Sequence, residues 1–423
     1  MRILWVVASP IGNTERILFN KNEVYGSGHW IDNTAQSLLN YCGPIELAIV
    51  TTSDIDNILR KKDSCVTYYC LNLGKARVGK EFSKEDVSAI QFILDDFKPD
   101  LIHIWGSETG LGLLVAEAAK DTPIVLCIQG LMAAISKYPN GGLKWKQLTN
   151  YNILDMLKYP FFNKLNKIYD KQAEIERKLI RKINHVISES EWSISFCKEI
   201  NPTINCHWFP LQLDNIFIEK QWNIDKINRF SIFSISGRGA HKGIHIALKA
   251  MRIIIKNYPD AILYIPGRNP LKGGDIRSKL LQTPYTSYLK RLIKKYNLEN
   301  NVIFTGMLNT TEMAEYLCRC NVFIMPSCIE NQSASLREAL SIGTPSVSSY
   351  VGCIDEAIIH KETGYTYRYE EYEVLAHYVS LIFDNDELAS NFSYNSREFM
   401  RNKYWEKDGG ALLYSIYEKI KGN

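Results

Sequence analysis

The chain has 423 residues, of which 46% are apolar and 23% are charged, a balance typical of a globular protein with more than one hydrophobic core. The net charge of +4 is too small to indicate nucleic-acid binding, so we expect no nucleic-acid partner. No apolar run reaches the ~18 residues that a membrane-spanning helix needs. The ten cysteines lack zinc-finger spacing and lie mostly in apolar runs, which indicates free thiols and a cytoplasmic location.

Strands and helices alternate along the first half of the sequence. The apolar runs that predict buried strands are ILWVVA, IELAIV, VTYYCL, LIHIWG, IVLCIQG and HVISES. The first run meets a proline without a small-residue cleavage site, so it predicts a strand and not a signal peptide. Amphipathic stretches such as KEDVSAIQFILDDF lie between the runs, and this alternation predicts a mainly parallel sheet with helices on both faces.

The second half repeats the same alternation. Its predicted strands are FSIFSIS, AILYIPG, VIFTG, VFIMPS and PSVSSY. The polar stretch 213–229 between the halves predicts a linker, and the sequence after Gly409-Gly410 predicts a final helix. The predicted fold is therefore α/β, with two doubly wound, Rossmann-like domains at residues 1–215 and 216–404.

In doubly wound sheets, ligands bind beyond the carboxyl ends of the strands, so the loops that follow strands contain the candidate sites. The loop GRGAHKG follows one such strand and contains Gly237, Arg238 and Lys242. Its glycines allow a close backbone approach, and its cations suit a phosphate. The loop matches neither the Walker A motif nor the Rossmann fingerprint, so an ordinary surface turn remains equally open.

A second glycine loop lies in the first half of the chain. Gly26 and Gly28 precede a predicted helix whose first turn contains Asp32. A glycine turn before a helix N-terminus favours the binding of an anion. Such loops are common, however, and this sequence alone favours an ordinary turn.

Two glutamates lie eight residues apart in the stretch MPSCIENQSASLREALSIG. Glu330 is predicted in the loop after a strand, and Glu338 one to two turns inside the next helix. The backbone N–H groups of Ser333, Ala334 and Ser335 would favour an anion, while a carboxylate suits paired sugar hydroxyls. The spacing alone favours a simpler reading, in which both glutamates face solvent.

Loops of the first half supply two further candidates. Glu108 follows the strand LIHIWG and Gln129 ends the strand IVLCIQG, so both would lie at the same sheet edge. Two Asp-x-Asp patterns, at 54–56 and 384–386, could hold a divalent metal. Both are better explained as helix starts in which an aspartate caps the first turn, so we predict no metal site.

Taken together, these loops resemble a retaining glycosyltransferase of family 4, of the kind that builds bacterial polysaccharides. The resemblance rests on GSGHW, GRGAHKG, VIFTGML and the long run VFIMPSCIENQSASLREALSIGTPSVSSYVGC, in this order. It implies the GT-B fold, in which the two Rossmann-like domains face a central cleft. A C-terminal helix, here about 405–423, would return to the first domain.

The resemblance also implies roles for the candidate residues. Arg238 and Lys242 would hold the donor diphosphate. Glu330 would face the transferred sugar, and Glu338 would bind the ribose hydroxyls. The remaining donor contacts would come from the glycine loops, the helix start and the segment beside the base: Gly26, Gly28, Gly237, Gly306, Met307, Leu308, Ser333, Ala334 and Ser335.

This sequence departs from the family pattern in three places. Gln129 stands where many members have a histidine, and it would contact the sugar or the acceptor as a neutral donor, together with Glu108. Asn331-Gln332-Ser333 replaces the usual small–aromatic–small insert, as in a subset of polysaccharide-building members. The spacing from Arg238 to Lys242 is one residue shorter than is common.

The implied activity is transfer of a sugar from a nucleotide diphosphate sugar to an acceptor hydroxyl, with retention at the anomeric carbon and without a metal or other cofactor. The acceptor would be a glycan or a lipid-linked glycan in surface polysaccharide synthesis. Two alternatives stay open: an epimerase or phosphorylase of the same fold, and a non-catalytic subunit that binds nucleotide sugars. The lack of a glycine fingerprint after a strand argues against a dehydrogenase.

Residues 144–185 hold ten Lys or Arg against four Asp or Glu, with aromatic residues between them. A basic amphipathic surface of this kind suits a peripheral contact with the inner face of an anionic membrane and a lipid-linked acceptor. The charge pattern alone slightly favours the alternative, a solvated helix whose apolar side packs on the core.

Overall fold

The structure is a computed structural model that describes residues 1–21, 29–41, 45–73, 82–149, 153–235, 239–267, 269, 283–331, 333–405 and 408–422. The chain divides into two compact units. The first comprises Met1–Ser136, Ile168–Gln212 and Lys407–Asn423, and the second comprises Lys137–Lys167 and Leu213–Glu406. The chain therefore enters the second unit twice, the first time with a segment from the first half of the sequence.

The first unit is built on an eight-stranded sheet. Its strands are β1 Arg2–Val7, β2 Glu46–Ser53, β3 Leu59–Asp63, β4 Val66–Asn72, β5 Leu101–Trp105, β6 Ile124–Cys127, β7 His185–Ser188 and β8 Asn205–Trp208. The spatial order is β3-β4-β2-β1-β5-β6-β7-β8, and every neighbouring pair is parallel except β3 with β4. The prediction of a mainly parallel first sheet is confirmed.

Helices connect these strands, as parallel pairing requires. In chain order they are α1 Gly12–Phe19, α2 His29–Asn40, α3 Lys84–Phe97, α4 Leu111–Ala118, α5 Met132–Ile135, α6 Trp145–Thr149, α7 Ile153–Lys182 and α8 Glu191–Ile200. The start of α3 shows why its sequence forms a helix there. The Ser83 hydroxyl accepts from the Asp86 N–H at 3.2 Å, and the Asp86 carboxylate accepts from the Ser83 N–H at 2.8 Å.

The second unit contains a six-stranded sheet, parallel throughout. Its strands are β9 Asn228–Ser234, β10 Ile262–Pro266, β11 Val302–Gly306, β12 Cys320–Met325, β13 Ser346–Ser349 and β14 Tyr365–Tyr367, in the spatial order β11-β10-β9-β12-β13-β14. Its helices are α9 Asn215–Glu219, α10 Ile244–Ile254, α11 Pro284–Lys295, α12 Thr310–Arg319, α13 Ala334–Ile342, α14 Tyr372–Asp384 and α15 Asp386–Met400. This second sheet confirms the prediction of two Rossmann-like halves.

The last helix, α16 Gly409–Gly422, belongs to the core of the first unit. Gly410 lies so close to α2 that a Cβ there would be 2.2 Å from the Ser37 carbonyl oxygen. The Tyr417 hydroxyl accepts from the Trp5 indole N–H at 3.0 Å and lies 2.6 Å from Nδ1 of His103. Burial lowers the pKa of His103 to about 3, so its ring is neutral at pH 7.

Two local predictions are wrong. The stretch that begins at the 54–56 pattern does not start a helix, because it leads into β3, which pairs antiparallel with β4. The strand is exposed and rich in lysine, as edge strands often are, so it lacks the apolar alternation that would have revealed it. The 384–386 pattern does precede a helix, but the cap is Asn385, whose side chain accepts from the Leu388 N–H at 2.9 Å.

The polar stretch between the halves contains α9 and a 3-10 turn at Ile224–Lys226. The division between the compact units lies just before it, at Gln212 and Leu213. The units differ from the predicted domains mainly in the segment Lys137–Lys167. Within the described ranges, no helix is long and apolar enough to cross a membrane, and the nine cysteines found there are free thiols.

Tyr417→Phe is expected to destabilise the first unit, because the Trp5 N–H and the His103 ring lose the hydroxyl that both contact. A buried polar group that loses its partner costs about 1–3 kcal/mol. Urea unfolding followed by tryptophan fluorescence would measure the loss. Tyr394→Phe, at a position that is 67% exposed, is the matched control, and equal stabilities of the two variants would contradict the prediction.

Candidate active site

The second sheet has its topological switch point between β9 and β12. These strands are hydrogen-bonded neighbours, although β10 and β11 separate them along the chain. The loop after β9 leads to α10, and the loop after β12 leads to α13. Doubly wound sheets bind ligands in the crevice that forms at such a point.

One residue from each loop takes part in an ion pair. Lys242 Nζ donates to Glu330 Oε1 at 2.7 Å, and the Ser327 hydroxyl donates to the same oxygen at 2.6 Å. The Glu330 side chain is 9% exposed and that of Lys242 is 34% exposed, so the pair lies at the boundary with solvent. The structure thus brings together two predicted site residues that are 88 positions apart in the sequence.

Two glycines allow the backbone to approach this pair closely. Gly243 has a φ of +70°, and a Cβ there would lie 1.6 Å from the Pro326 carbonyl oxygen. Gly352, after β13, has a φ of +57°, and a Cβ there would lie 1.7 Å from the Glu330 carbonyl oxygen. Any larger residue would displace one of the site loops, so these glycines fix the geometry of Lys242 and Glu330.

A backbone hydrogen bond links the two loops beside the ion pair. The Cys328 N–H donates to the His241 carbonyl oxygen at 2.8 Å. Burial and the adjacent Lys242 lower the pKa of His241 to about 4, and burial raises the pKa of Cys328 to about 12. Both side chains are therefore neutral at pH 7, so neither adds a charge beside Lys242 and Glu330.

The helix α13 begins at Ala334, three residues after Asn331 of the Glu330 loop. Its N-cap is Ser333. The Ser333 hydroxyl accepts from the Leu336 N–H at 3.4 Å. Ser333, Ala334 and Ser335 are all partly exposed, so the first turn of the helix is open to solvent. An open helix N-terminus is favourable for an anion.

Glu338 lies further along α13 and is partly exposed. Burial of the carboxyl group raises its pKa to about 7, the negative charge of Asp214 adds to this effect, and Arg337 opposes it. Arg337 is itself buried, with its guanidinium 4.0 Å from the centre of the Tyr404 ring. Glu338 therefore changes charge near pH 7, a behaviour that is frequent among functional carboxylates.

The segment Gly306–Leu308 begins at the last residue of β11, at the same sheet edge. The Gly267 N–H donates to the Gly306 carbonyl oxygen at 2.7 Å, and the Gly306 N–H donates back at 3.2 Å. A Cβ on Gly306 would meet no atom within 4 Å. Met307 is 47% exposed and Leu308 is partly exposed, so this segment offers apolar surface at the edge of the sheet.

In the first unit, Glu108 and Gln129 meet at the ends of β5 and β6. Gly106 has a φ of +90°, and a Cβ there would lie 2.2 Å from Glu108 Oε2 and 3.3 Å from Gln129 Oε1. Glu108 Oε1 accepts from the Gly130 N–H at 2.5 Å. Burial raises the pKa of Glu108 above its usual range.

A buried carboxylate, which no sequence motif indicated, holds these two loops. Glu176, on α7, accepts from the backbone N–H groups of Met132 at 3.0 Å and Ala133 at 2.8 Å, and from the Ser107 hydroxyl. Burial raises its pKa to about 7, and the charge of Glu108 adds to this effect. The sequence did contain one signal for this residue. Glu176 lies at helical spacing from three buried apolar residues, namely Ala173, Ile180 and Ile183.

Some predicted site residues lie outside the described residues: Gly26, Gly28, Gly237 and Arg238. Gln332 lies outside them as well, while its neighbour Asn331 is buried. In the parts of the chain that the structure describes, no group of three or more His, Cys, Asp or Glu residues could hold a metal ion.

Solved structures share the two-sheet architecture along the whole chain. Sucrose-phosphate synthase from Thermosynechococcus elongatus has a TM-score of 0.72 and 16% identity, with 99% of each chain covered. Anabaena HepE in complex with UDP and glucose has a TM-score of 0.65 and 14% identity, with 100% of each chain covered. At such low identities the likeness shows the fold alone, which is the GT-B fold of two Rossmann-like sheets.

The second half of the sequence identifies the family of one domain. Residues 215–399 match the family described as Glycosyl transferases group 1. The putative glycosyltransferase YtcC of Bacillus subtilis is 25% identical over 181 residues, which is 42% of each chain. The aligned stretches span roughly half the length of the curated relatives. The chain therefore contains a glycosyl transferases group 1 domain, and that domain includes Lys242, Glu330 and Glu338.

The raised pKa of Glu338 makes the folded state less stable as the pH rises. Between the ordinary value of 4.5 and about 7, the folded carboxyl group stays protonated while the unfolded one ionises, so stability falls across this interval. Glu338→Gln removes this loss. We therefore expect the free energy of unfolding of the variant to exceed that of the wild type at about pH 8, by about 1 kcal/mol or more.

Thermal unfolding at about pH 8 and about pH 4 would measure this effect, because the advantage of Glu338→Gln should vanish at the lower pH. Glu387→Gln, at an exposed position of α15, is the matched control. A stability difference that does not change with pH would contradict the prediction.

Proposed function

We propose that this protein is a retaining glycosyltransferase that moves a sugar from a nucleotide diphosphate sugar to an acceptor hydroxyl. The observation that carries the proposal is the ion pair of Lys242 and Glu330 at the switch point of a glycosyl transferases group 1 domain. The fold neighbour HepE, solved with UDP-glucose, supports a nucleotide sugar as the donor.

The difficult step is departure of the nucleoside diphosphate from the anomeric carbon, since negative charge builds up on the leaving oxygen. Lys242, with Arg238 as a second cation, stabilises this charge. The backbone N–H groups from Ser333 to Ser335 add to the stabilisation, because the first turn of α13 is open. Glu330 holds the Lys242 ammonium group in place before the donor arrives, which reduces the reorganisation that the reaction requires.

Glu330 accepts hydrogen bonds from the hydroxyls of the transferred sugar. Both of its hydrogen bonds described above go to Oε1, and we assign Oε2 to the sugar. The bond from the anomeric carbon to the phosphate oxygen breaks, and the acceptor oxygen forms the new bond on the same face. The acceptor proton passes to the leaving phosphate, which gives retention without a protein nucleophile. No metal or other cofactor takes part in this scheme.

Glu338 binds the two ribose hydroxyls, and the segment Gly306–Leu308 contacts the base. A charged carboxylate is the stronger acceptor for a pair of hydroxyls, so the donor should favour the ionised form of Glu338. We assign the acceptor, a glycan or lipid-linked glycan of a surface polysaccharide, to the edge of the first sheet where Glu108 and Gln129 meet.

Lys242→Ala and Glu330→Ala should each reduce sugar transfer by at least about 100-fold, since each removes a group that acts on the developing charge or on the sugar. The assay is release of nucleoside diphosphate from UDP-, GDP- and ADP-sugars in the presence of acceptor. NMR of the product would establish the anomeric configuration. Lys256→Ala and Glu387→Ala, both at exposed positions, are the matched controls.

Wild-type turnover in both site variants would refute the assignment. Conversion of the nucleotide sugar without any acceptor would favour an epimerase or phosphorylase. Calorimetry that shows donor binding, with neither transfer nor hydrolysis over a long incubation, would favour a non-catalytic binding subunit. Inversion at the anomeric carbon would leave transfer intact but refute the retaining mechanism.

We also propose a peripheral membrane contact through residues 144–185. Among the described residues of this stretch, three large apolar side chains are exposed, namely Trp145 by 42%, Met156 by 44% and Leu157 by 66%. Exposed apolar groups beside lysines are favourable at the interface of an anionic bilayer. Such a contact would place the enzyme beside a lipid-linked acceptor.

Co-sedimentation with liposomes tests this contact. The wild type should bind vesicles that contain anionic phosphatidylserine more strongly than vesicles of phosphatidylcholine alone, and salt should weaken the binding. The double variant Trp145→Ser/Leu157→Ser should lose most of it, while Tyr394→Ser, at an exposed position elsewhere, should not. Equal binding to both kinds of vesicle would refute the electrostatic contact.

A further inference from the structure

The segment Lys137–Thr149 packs on the candidate active site from outside the recognised domain. It precedes the family match, which begins at residue 215, and the chain on either side of Lys137–Lys167 belongs to the first unit. The segment itself belongs to the second unit, together with the loops of Lys242 and Glu330.

Gly141 lies directly on the loop that contains Lys242. Its φ is +55°, and a Cβ there would lie 2.2 Å from the Ala240 carbonyl oxygen and 3.2 Å from the His241 nitrogen. This close contact of two backbones requires glycine at position 141. The segment is therefore seated against the residues that immediately precede Lys242.

Tyr369 fixes this arrangement. Its side chain is almost buried, and its hydroxyl donates to the Gly141 carbonyl oxygen at 2.8 Å and lies 3.2 Å from His245 Nε2. The ring of Tyr369 also lies 3.2 Å from the position that a Cβ on Gly243 would take. The same side chain thus contacts the segment and the residue that follows Lys242.

The C-terminal end of the segment is also held by hydrogen bonds. Arg291, on α11, donates to the carbonyl oxygens of Gln147 at 2.9 Å and Leu148 at 2.7 Å. Leu148 is fully buried and Leu143 is nearly so. The segment is held at both ends, and its position relative to the site loops is therefore well defined.

Tyr138, near the start of the segment, contacts the loop of Glu330 through its backbone. The Cys328 thiol donates to the Tyr138 carbonyl oxygen at 3.9 Å, and Cys328 is two residues before Glu330. The Tyr138 side chain is nevertheless 43% exposed. An exposed aromatic side chain on a fixed backbone beside a ligand site binds at a low entropic cost, because only two side-chain torsions must be ordered.

We propose that Tyr138 is a specificity-determining residue for the transferred sugar, whose apolar face its ring covers while Glu330 binds the hydroxyls. The proposal rests on the proposed function, since it assumes a nucleotide sugar in the site of Lys242 and Glu330. An aromatic ring supplies apolar contact and its hydroxyl supplies a polar one, which is the combination that a sugar presents. Tyr138 contacts the sugar and not the nucleotide.

The test compares binding of a nucleotide sugar with binding of the free nucleoside diphosphate, by calorimetry on the full chain. The probes are UDP-glucose, GDP-mannose and ADP-glucose, each with UDP, GDP or ADP as its partner. Tyr138→Ala should weaken binding of the preferred nucleotide sugar about five- to tenfold and leave the matching diphosphate unchanged. Lys242→Ala should weaken both, and Tyr394→Ala, an exposed control, should weaken neither.

Each outcome decides a different point. Unchanged binding of both probes by Tyr138→Ala would overturn the role of Tyr138 and leave the proposed function standing. Equal weakening of both probes would also overturn it, because the side chain would then act only by holding the loop. If the wild type binds none of the nucleotide sugars, the proposed function fails, and the role of Tyr138 fails with it.

Discussion

The ion pair of Lys242 and Glu330 is the interaction on which the candidate active site depends. Two partly buried charges lose hydration, and their attraction compensates for this loss only when their geometry is held. Here the Ser327 hydroxyl binds the carboxylate, and Gly243 and Gly352 bring the loop backbones into direct contact. The ammonium and carboxylate groups are therefore held in position, as the proposed binding of a donor diphosphate and its sugar would require.

Two glutamates with a pKa near 7 show that a perturbed pKa does not by itself identify a site. Glu176 is fully buried and receives hydrogen bonds from Met132, Ala133 and Ser107, so its role is to join two loops. Glu338 is partly exposed on a helix whose first turn is open. Solvent exposure of the side chain distinguishes the two cases, since burial is the main cause of both pKa shifts.

The sequence predicted most of the buried fold, because apolar strands alternate with amphipathic helices; the bounds of α3 and β11 agree residue for residue. It failed at β3 and did not identify β8 or β14, where exposure or a length of only three or four residues removes the periodic signal. In the candidate site, the resemblance to a glycosyltransferase family indicated Lys242 and Glu330. No local sequence pattern could show that their side chains form an ion pair. Ser327, Gly352 and Tyr369 were missed because their roles arise only from long-range contacts.

The segment Lys137–Thr149 has a consequence for how such chains exchange parts during evolution. The recognisable domain is continuous in sequence, but the folded body that contains it is not. A recombination event that transferred residues 215–399 alone would remove the carbonyl oxygen of Gly141 that accepts the hydrogen bond of Tyr369. It would also expose Leu148, which is buried in the intact chain. The folded unit is therefore encoded by two separate stretches of the gene, and an exchange that preserves it requires transfer of both stretches.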